Sequence, residues 1–545
     1  MFHENNNHLQ QSLFNPEEKL NNTLRNVIKT HWSSVFYEKI FKNIKEKDFC
    51  ELYHPIFGRS NFPVNILVAL EIIKEMQSLT DEQLYENYHF NYLFQKALGI
   101  DDINHYSFAI RTLYHFRKNY CEYEEQTGIN LFDKIFKDGR DKIIEELGLK
   151  TSTQRIDSVM IGANIKRMNR LTLFHKVLSN LIKELRNANV QPSEELNSIV
   201  SQEEDGYYYR LAKAKVQDKT IELGNYIFIY VKRYSMDERV NKTKAFIDAE
   251  RLLSEQCKIR KDNKVELLEP KDINSGSMQN PADTDATYRF KNEEGHRGYS
   301  TVAAESCDKE NVIQVITQIE TVKNNVDDAK VLVGVVADLK KETNLETIIG
   351  DGAFVSDNVR IECEKESVNL IATAIRGKVN DKELDSLSFD LDESQLIQKC
   401  PNGERPKSQK LKADGTLIAN FDSAKCAVCP LKEKCIAYQN EKQSRIKIDT
   451  KRRWLDERNA KLGSEEYQGL CKLRPPVEGL MEKLKPKYLR GRILFRGLGK
   501  VRNRMTLRAM GLNFRRYAAH IADFFRNFLF LLENRSQFQI FCFIF

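Results

Sequence analysis

No stretch of this chain approaches the ~18 uncharged apolar residues that a membrane-spanning helix requires. The most apolar segment, FFRNFLFLLENRSQFQIFCFIF, is interrupted by Arg526, Glu533 and Arg535 and reads as a packing or association element. The opening residues MFHENNNHLQ lack the basic-then-apolar pattern of a signal peptide, so a cytoplasmic location with no membrane contact is expected. No Walker-type glycine loop, dinucleotide fingerprint or Ser-His-Asp arrangement occurs, and ATP-driven or redox chemistry is unsupported. A further absence is local. Between Lys483 and Ala522 there is no Asp or Glu, while twelve Lys or Arg fall in the same interval. The whole-chain excess of 85 − 78 = +7 is modest, but a one-sign block repels itself and is best explained by a polyanionic partner. A solvated basic helix face is the plainer alternative.

What is present suits a large globular chain. With 545 residues, 41% hydrophobic and 30% charged, three or four units are expected. Helical periodicity runs through residues 17–43 and 63–120, with a capping box at Thr80 and Gln83 and a cap at Ser107. NILVALEIIKEM, DEQLYENYHFNYLFQKAL and SFAIRTLYHFRKNY read as a small helical DNA-binding domain within 1–125, with Arg111, His115, Arg117 and Lys118 on its last helix. A plain helical bundle with a basic last helix has the same pattern. After 150 come short β-rich runs: RIDSVMIG, GYSTVAAES, NVIQVITQI, ETIIGDG and LIATAIRG each suit a buried strand of a mixed sheet. A long helical stretch, 170–265, separates the first two.

Two of these strands carry an aspartate, Asp157 in the first and Asp351 at the end of the fourth. Near the C-terminus, Cys471, Arg474, Glu478 and Lys485 fall at i, i+3, i+7 and i+14, which an uninterrupted helix gathers within about 60° of one face. Pro475 and Pro476 either kink that helix or start a new one. A carboxylate flanked by two cations suits a metal beside a phosphate. Three dispersed carboxylates suffice for Mg²⁺, which keeps waters and binds few protein oxygens. Each aspartate alone is as well explained as a turn or helix cap.

The order IDS, GDGAF, then Arg474-xxx-Glu478-xxxxxx-Lys485 resembles the Tyr-Arg-Glu-Lys signature of bacterial insertion-sequence transposases of the DDE class. Cys471 stands at the tyrosine position, and Tyr467, one turn earlier, is a substitute for it. The resemblance implies an α/β, RNase H-like mixed-sheet core at 150–390 and 450–522, with a helical insertion at 170–265, a cysteine-rich insertion at 395–440 and an apolar tail at 523–545. It implies Asp157, Asp351 and Glu478 as catalytic ligands of Mg²⁺ or Mn²⁺. DNA contacts are expected from Arg474, Lys485, Arg490, Arg492, Arg496, Lys500, Arg502, Arg117 and Lys118. The partners would be double-stranded DNA, both element ends and target, and a second copy of the chain on that DNA. Asp283, Asp285, Tyr288, His296, Gly298 and Tyr299 resemble the segment before the second strand in the same transposases, and read as loop and hairpin residues.

Cys400, Cys426, Cys429 and Cys435 form the one cysteine cluster among eleven cysteines. In a reducing compartment such a cluster favours a metal over disulfides. A CxxC knuckle with two further thiols suits a tetrahedral, structural Zn²⁺ that folds a small insertion. Iron–sulfur ligation or four buried thiols remain open on spacing alone.

Overall fold

The protein is seen in a computed structural model that describes residues 1–9, 16–100, 107–201, 211–291, 293–373, 384–439, 444–462, 464–487 and 491–542, the backbone alone at 451 and 527–542. The strands of the core and its insertion are β1 (Thr153–Gly162), a β2–β3 hairpin (Cys257–Ile259 and Val265–Leu267), β4 (Thr287–Lys291), β5 (Glu294–Ser306), β6 (Ile316–Lys323), β7 (Thr347–Gly350) and β8 (Asn369–Ala372). The main sheet runs β6-β5-β1-β7-β8, with β4 also paired to β5. β5 is antiparallel to β1 and β6, whereas β7 is parallel to β1 and to β8. This is the mixed α/β sheet expected of an RNase H-like core. β1 lies at its centre because both faces are apolar. Ile156 packs against one hydrophobic core with Val302, Leu332 and Ile348, and Val159 and Ile161 pack against another. Parallel pairing of β1, β7 and β8 requires crossovers, supplied by α-helices that bury Leu332 and Val336 before β7 and Val359 before β8.

Several sequence expectations shift in detail. β6 starts at Ile316, later than the NVIQVITQI pattern, because Asn311 and Gln314 are tied into a turn: Asn311 Oδ1 accepts the Lys150 N–H, and Gln314 Nε2 donates to the Asp308 carbonyl. Among the described residues the 170–265 stretch holds helices Arg170–Asn187, Glu194–Ser201, Lys213–Tyr234 and Lys244–Gln256, closed by the β2–β3 hairpin around their own core of Phe174, Leu178, Leu223 and Leu252. The cysteine-rich segment forms a separate four-stranded antiparallel sheet over Leu417, Ala419, Phe421, Ile446 and Ile448.

Helix α1 (Val64–Gln77) is buried on nearly every side, as its unbroken apolar sequence dictates. It precedes α2 (Arg111–Thr127) and α3 (Leu131–Leu147), and it packs on α7 (Leu498–Cys542), whose Gly511 touches Met76 so closely that a Cβ would lie 2.8 Å from the Met76 Cα. The capping box at Thr80 forms as read, but α2 starts at Arg111 with no side-chain cap, so Ser107 does not cap it. The N-terminal helices therefore share one core with β1, β5, β6 and α7, and are not a separate module beside the sheet. Among the described residues, no helix is long and apolar enough to cross a membrane.

Candidate active site

Register brings the two aspartates together. Arg155 on β1 pairs with Ile349 on β7 in parallel, so two residues further along Asp157 lies beside Asp351, where β7 has just ended. Asp351 accepts the Ala353 N–H and caps the tight turn Gly352–Phe354 that follows. The late carboxylate arrives differently. The chain between Cys471 and Val477 is not one helix: α5 (Glu465–Cys471) ends, Pro475 and Pro476 occupy a turn, and α6 (Val477–Leu484) begins. The prolines therefore start a new helix, where a missing N–H costs nothing. The continuous face from Cys471 to Lys485 does not exist, and Lys485 sits at the C-cap, paired with Glu482 at 2.6 Å. α6 docks on the sheet through Val477, Leu480, Met481 and Leu484, leaving Glu478 outward in its first turn.

Arg474, in the turn between α5 and α6, joins the three acids. Its Nη2 lies 3.0 Å from Asp157 Oδ2 and 3.9 Å from Asp351 Oδ2, and its Nη1 lies 3.3 Å from Glu478 Oε1. One guanidinium thus stands where three carboxylates from three segments converge. Burial pushes the Asp157 carboxyl above its usual range and the Asp351 charge adds to that, while the Ser158 N–H and Arg474 pull against them. The turn itself is held by Arg155, which sequence reasoning passed over: it donates to the Leu473 carbonyl at 2.9 Å and, from the opposite side of its fork, to Glu305. The signal is an arginine two residues before Asp157, on a strand whose later residues Val159, Met160 and Ile161 are apolar. Asp328 was missed as well; it accepts the Ser158 hydroxyl at 2.8 Å behind the site.

The donor set fits a hard divalent cation in its chemistry: carboxylate oxygens only, on two neighbouring interior strands and a helix start, with a cation already among them. Arg474 Nε has no hydrogen-bond partner among the described residues, so its guanidinium is not fully locked in place. Among the described residues, however, no three His, Cys, Asp or Glu side chains are gathered closely enough to hold an ion as they stand. The same holds for the cysteines. Cys400, Cys426, Cys429 and Cys435 line one small cavity in the cysteine-rich sheet, all as free thiols, and burial raises the Cys426 and Cys435 thiols.

The tyrosine position is settled by packing. Tyr467 is buried, donating its hydroxyl to the Ala372 carbonyl at 3.1 Å and accepting the Ala372 N–H at 3.3 Å on β8. It is a core residue and not a replacement for the missing tyrosine. Cys471 packs beside it against Ile349 and Ile371.

The cations expected on DNA separate into two groups. Arg117 is 6% exposed and bound to Glu71 and Asp81, so it points inward and offers nothing to a phosphate. Arg502 pairs with Glu124 and Glu320, and Arg504, Arg508 and Arg516 also face carboxylates. The acid-free block of sequence is thus partly neutralised by acids from distant elements. Lys118, Arg492, Arg496 and Lys500 are exposed. Arg490 lies outside the described residues. Asp283 accepts the Tyr299 hydroxyl and the Gly497 N–H, and Asp285 the Leu498 N–H, so both aspartates serve the start of α7 and not catalysis.

Residues 399–518 match a family model described as Transposase DDE domain. The match takes in the cysteine cluster, Arg474, Glu478 and the basic block; Asp157 and Asp351 lie before it. No curated protein and no solved structure matches the chain.

Proposed function

Taking the chain as a DDE-class transposase, we propose that it binds the terminal inverted repeats of an insertion sequence, cuts the element's ends and joins the freed 3′-hydroxyls to target DNA. The observation that carries this reading is the convergence of Asp157, Asp351 and Glu478 on Arg474. Enzymes of this class generally use a divalent metal such as Mg²⁺. Bound here, Mg²⁺ or Mn²⁺ would polarise the scissile phosphate and favour the attacking hydroxyl. Asp157 would hold the ion from within β1 and Asp351 from the end of β7, and Glu478 would close on it from a helix that is free at its outer face. Arg474, displaced from the acids, would turn its planar fork to a DNA phosphate. Lys485, Arg492, Arg496 and Lys500 would contact the backbone, and Lys118 would extend that contact to the N-terminal helices. Synapsis of two ends implies at least a dimer. A structural Zn²⁺ on Cys400, Cys426, Cys429 and Cys435 is part of the same proposal, supported by the cavity the four thiols share.

The test uses the DNA flanking the gene as the source of element ends. Cleavage and joining of those ends by the wild type, lost in Asp157→Ala, Asp351→Ala and Glu478→Ala while end binding persists, is the expected result. Binding without any metal-dependent nicking by the wild type would make the chain a DNA-binding descendant of a transposase, and nicking without joining would make it a nuclease. Elemental analysis of the purified protein checks for one zinc per chain.

A further inference from the structure

At the far end of β1, beyond the acids, lies a cavity of about 240 Å³. Its walls carry Arg167, His296, Arg297 and Arg492, and no Asp or Glu lines it. Its floor is backbone. Gly162 pairs with Gly298 across β1 and β5, where a Cβ on Gly298 would meet the Ile161 carbonyl at 2.2 Å; Gly298 itself has φ +147°, and only glycine accommodates both. Gly162 also bridges in parallel to Arg492, whose Ile493 N–H donates to the Gly162 carbonyl at 2.8 Å. The segment that follows α6 is thereby laid along the end of the strand that carries Asp157.

The three arginines here, of which only Arg492 belongs to the basic block, differ from Arg502, Arg504, Arg508 and Arg516. Among the described residues none of Arg167, Arg297 and Arg492 has a carboxylate partner, whereas Arg502, Arg504, Arg508 and Arg516 all do. Arg297 is oriented by neutral groups alone, donating to Gln279 Oε1 at 3.1 Å and lying 5.3 Å from the Tyr288 ring centroid. Three uncompensated guanidinium groups around one cavity suit a phosphate group, since Arg forks match its oxygens. The tyrosine in the wall, Tyr299, is buried with its hydroxyl committed to Asp283 and offers no face to a nucleobase. Five residues of β1 separate Asp157 from Gly162, about 17 Å at ~3.3 Å per residue. That length equals about five base-pair steps along the duplex axis at ~3.4 Å each.

We propose that this cavity is a second phosphate site, which takes a backbone phosphate of the duplex whose scissile phosphate lies at the three acids. The proposal rests on the transposase reading and specifies where the protein grips DNA away from the cut. It is tested with the full chain and a random-sequence duplex of about 30 base pairs, titrated from about 50 to 200 mM KCl. Arg167→Ala with Arg297→Ala should reduce the slope of log affinity against log salt by up to roughly 0.9, the value for one lost phosphate contact. Because Arg297 helps order its own surroundings, Arg167→Glu is the second variant. Its side chain is exposed and, among the described residues, unpaired, so the fold survives and the slope should fall by roughly 0.9. A wild-type protein that binds DNA while both variants keep its slope overturns the phosphate site and leaves the transposase reading intact. A wild-type protein that does not bind DNA overturns both. Inorganic phosphate that raises the melting temperature of the wild type and not of Arg167→Glu, with the DNA slope unchanged, assigns the cavity to a free anion and overturns the proposal.

Discussion

Two ionic clusters in this molecule are built from the same residue types and do opposite things. Around Arg474, side-chain exposure rises from 13% at Asp157 and 17% at Arg474 to 69% at Glu478. Between α1, α2 and α7, Glu71, Glu75, Arg117 and Arg504 are sealed at 0–7%. There Glu71 pairs with Arg117 at 2.8 Å and with Arg504, and the faces of Arg117 and Arg504 rest over the Phe495 ring at 5.3 and 4.4 Å. Lys74 adds its ammonium 3.6 Å from Asp81. In this cluster only Asp81, at 18%, reaches solvent, and the other charges are secured by their partners away from water. In the open cluster the acids outnumber the cation three to one, and their surplus negative charge faces solvent. The difference teaches that burial, and not charge pairing as such, separates a structural ion network from one suited to exchange its cation.

The comparison breaks first at catalysis. Asp157→Asn should reduce metal-dependent end cleavage to background in a gel assay while the folded state persists, since only the open cluster is altered. Glu71→Ala should have the opposite profile, costing about 3–5 kcal/mol in urea unfolding, because it strands two buried guanidinium groups. A cost near zero would show that water reaches the sealed cluster.

Acid sharpens the contrast. Although burial opposes it, Arg117 and Lys74 hold the Asp81 carboxyl down at about 2. A depressed carboxylate contributes stability that is complete above its unfolded value near 4 and is lost as pH falls through the folded value. Stability of the wild type should therefore drop between about pH 4 and 2, and Asp81→Asn should remove part of that drop. Asp157 is displaced the other way by burial, so protons compete with a divalent cation there at higher pH than at an ordinary aspartate. Mn²⁺ affinity measured by calorimetry should weaken as pH is lowered through the upper carboxylate range, and Asp157→Asn should abolish that pH dependence along with tight binding.

Arg474→Gln probes the open cluster from the cation side. It should cost about 1 kcal/mol of stability, since its pairs are partly solvated, while tightening Mn²⁺ binding by removing the competing charge. Looser Mn²⁺ binding would mean that Arg474 orders the acids more than it blocks them. The smallest effect expected is at Tyr467→Phe, about 0.5–1.5 kcal/mol from the lost bonds to Ala372, with no change in DNA affinity.

Much was legible from residues alone. The apolar runs of β1, β5 and β7, the aspartates at IDS and GDG, and the Arg474-xxx-Glu478 spacing are local patterns, and strand period, turn chemistry and motif spacing are local physics. The capping box at Thr80 and the burial of α1 belong with them. What failed to read locally depended on partners far away in the chain. The basic stretch from Lys483 to Ala522 looked unneutralised because its acids, Glu71, Glu75, Glu124, Glu305 and Glu320, are hundreds of residues earlier. Arg117 looked like a surface cation on a recognition helix until α1 and α7 enclosed it. Whether Pro475 and Pro476 kinked a helix or began one depended on where α6 could dock against β1. Sequence determined which groups this protein has and at what spacing; tertiary structure alone decided which charges are spent on one another and which face solvent, because Coulomb pairing and desolvation act through space and take no account of distance along the chain.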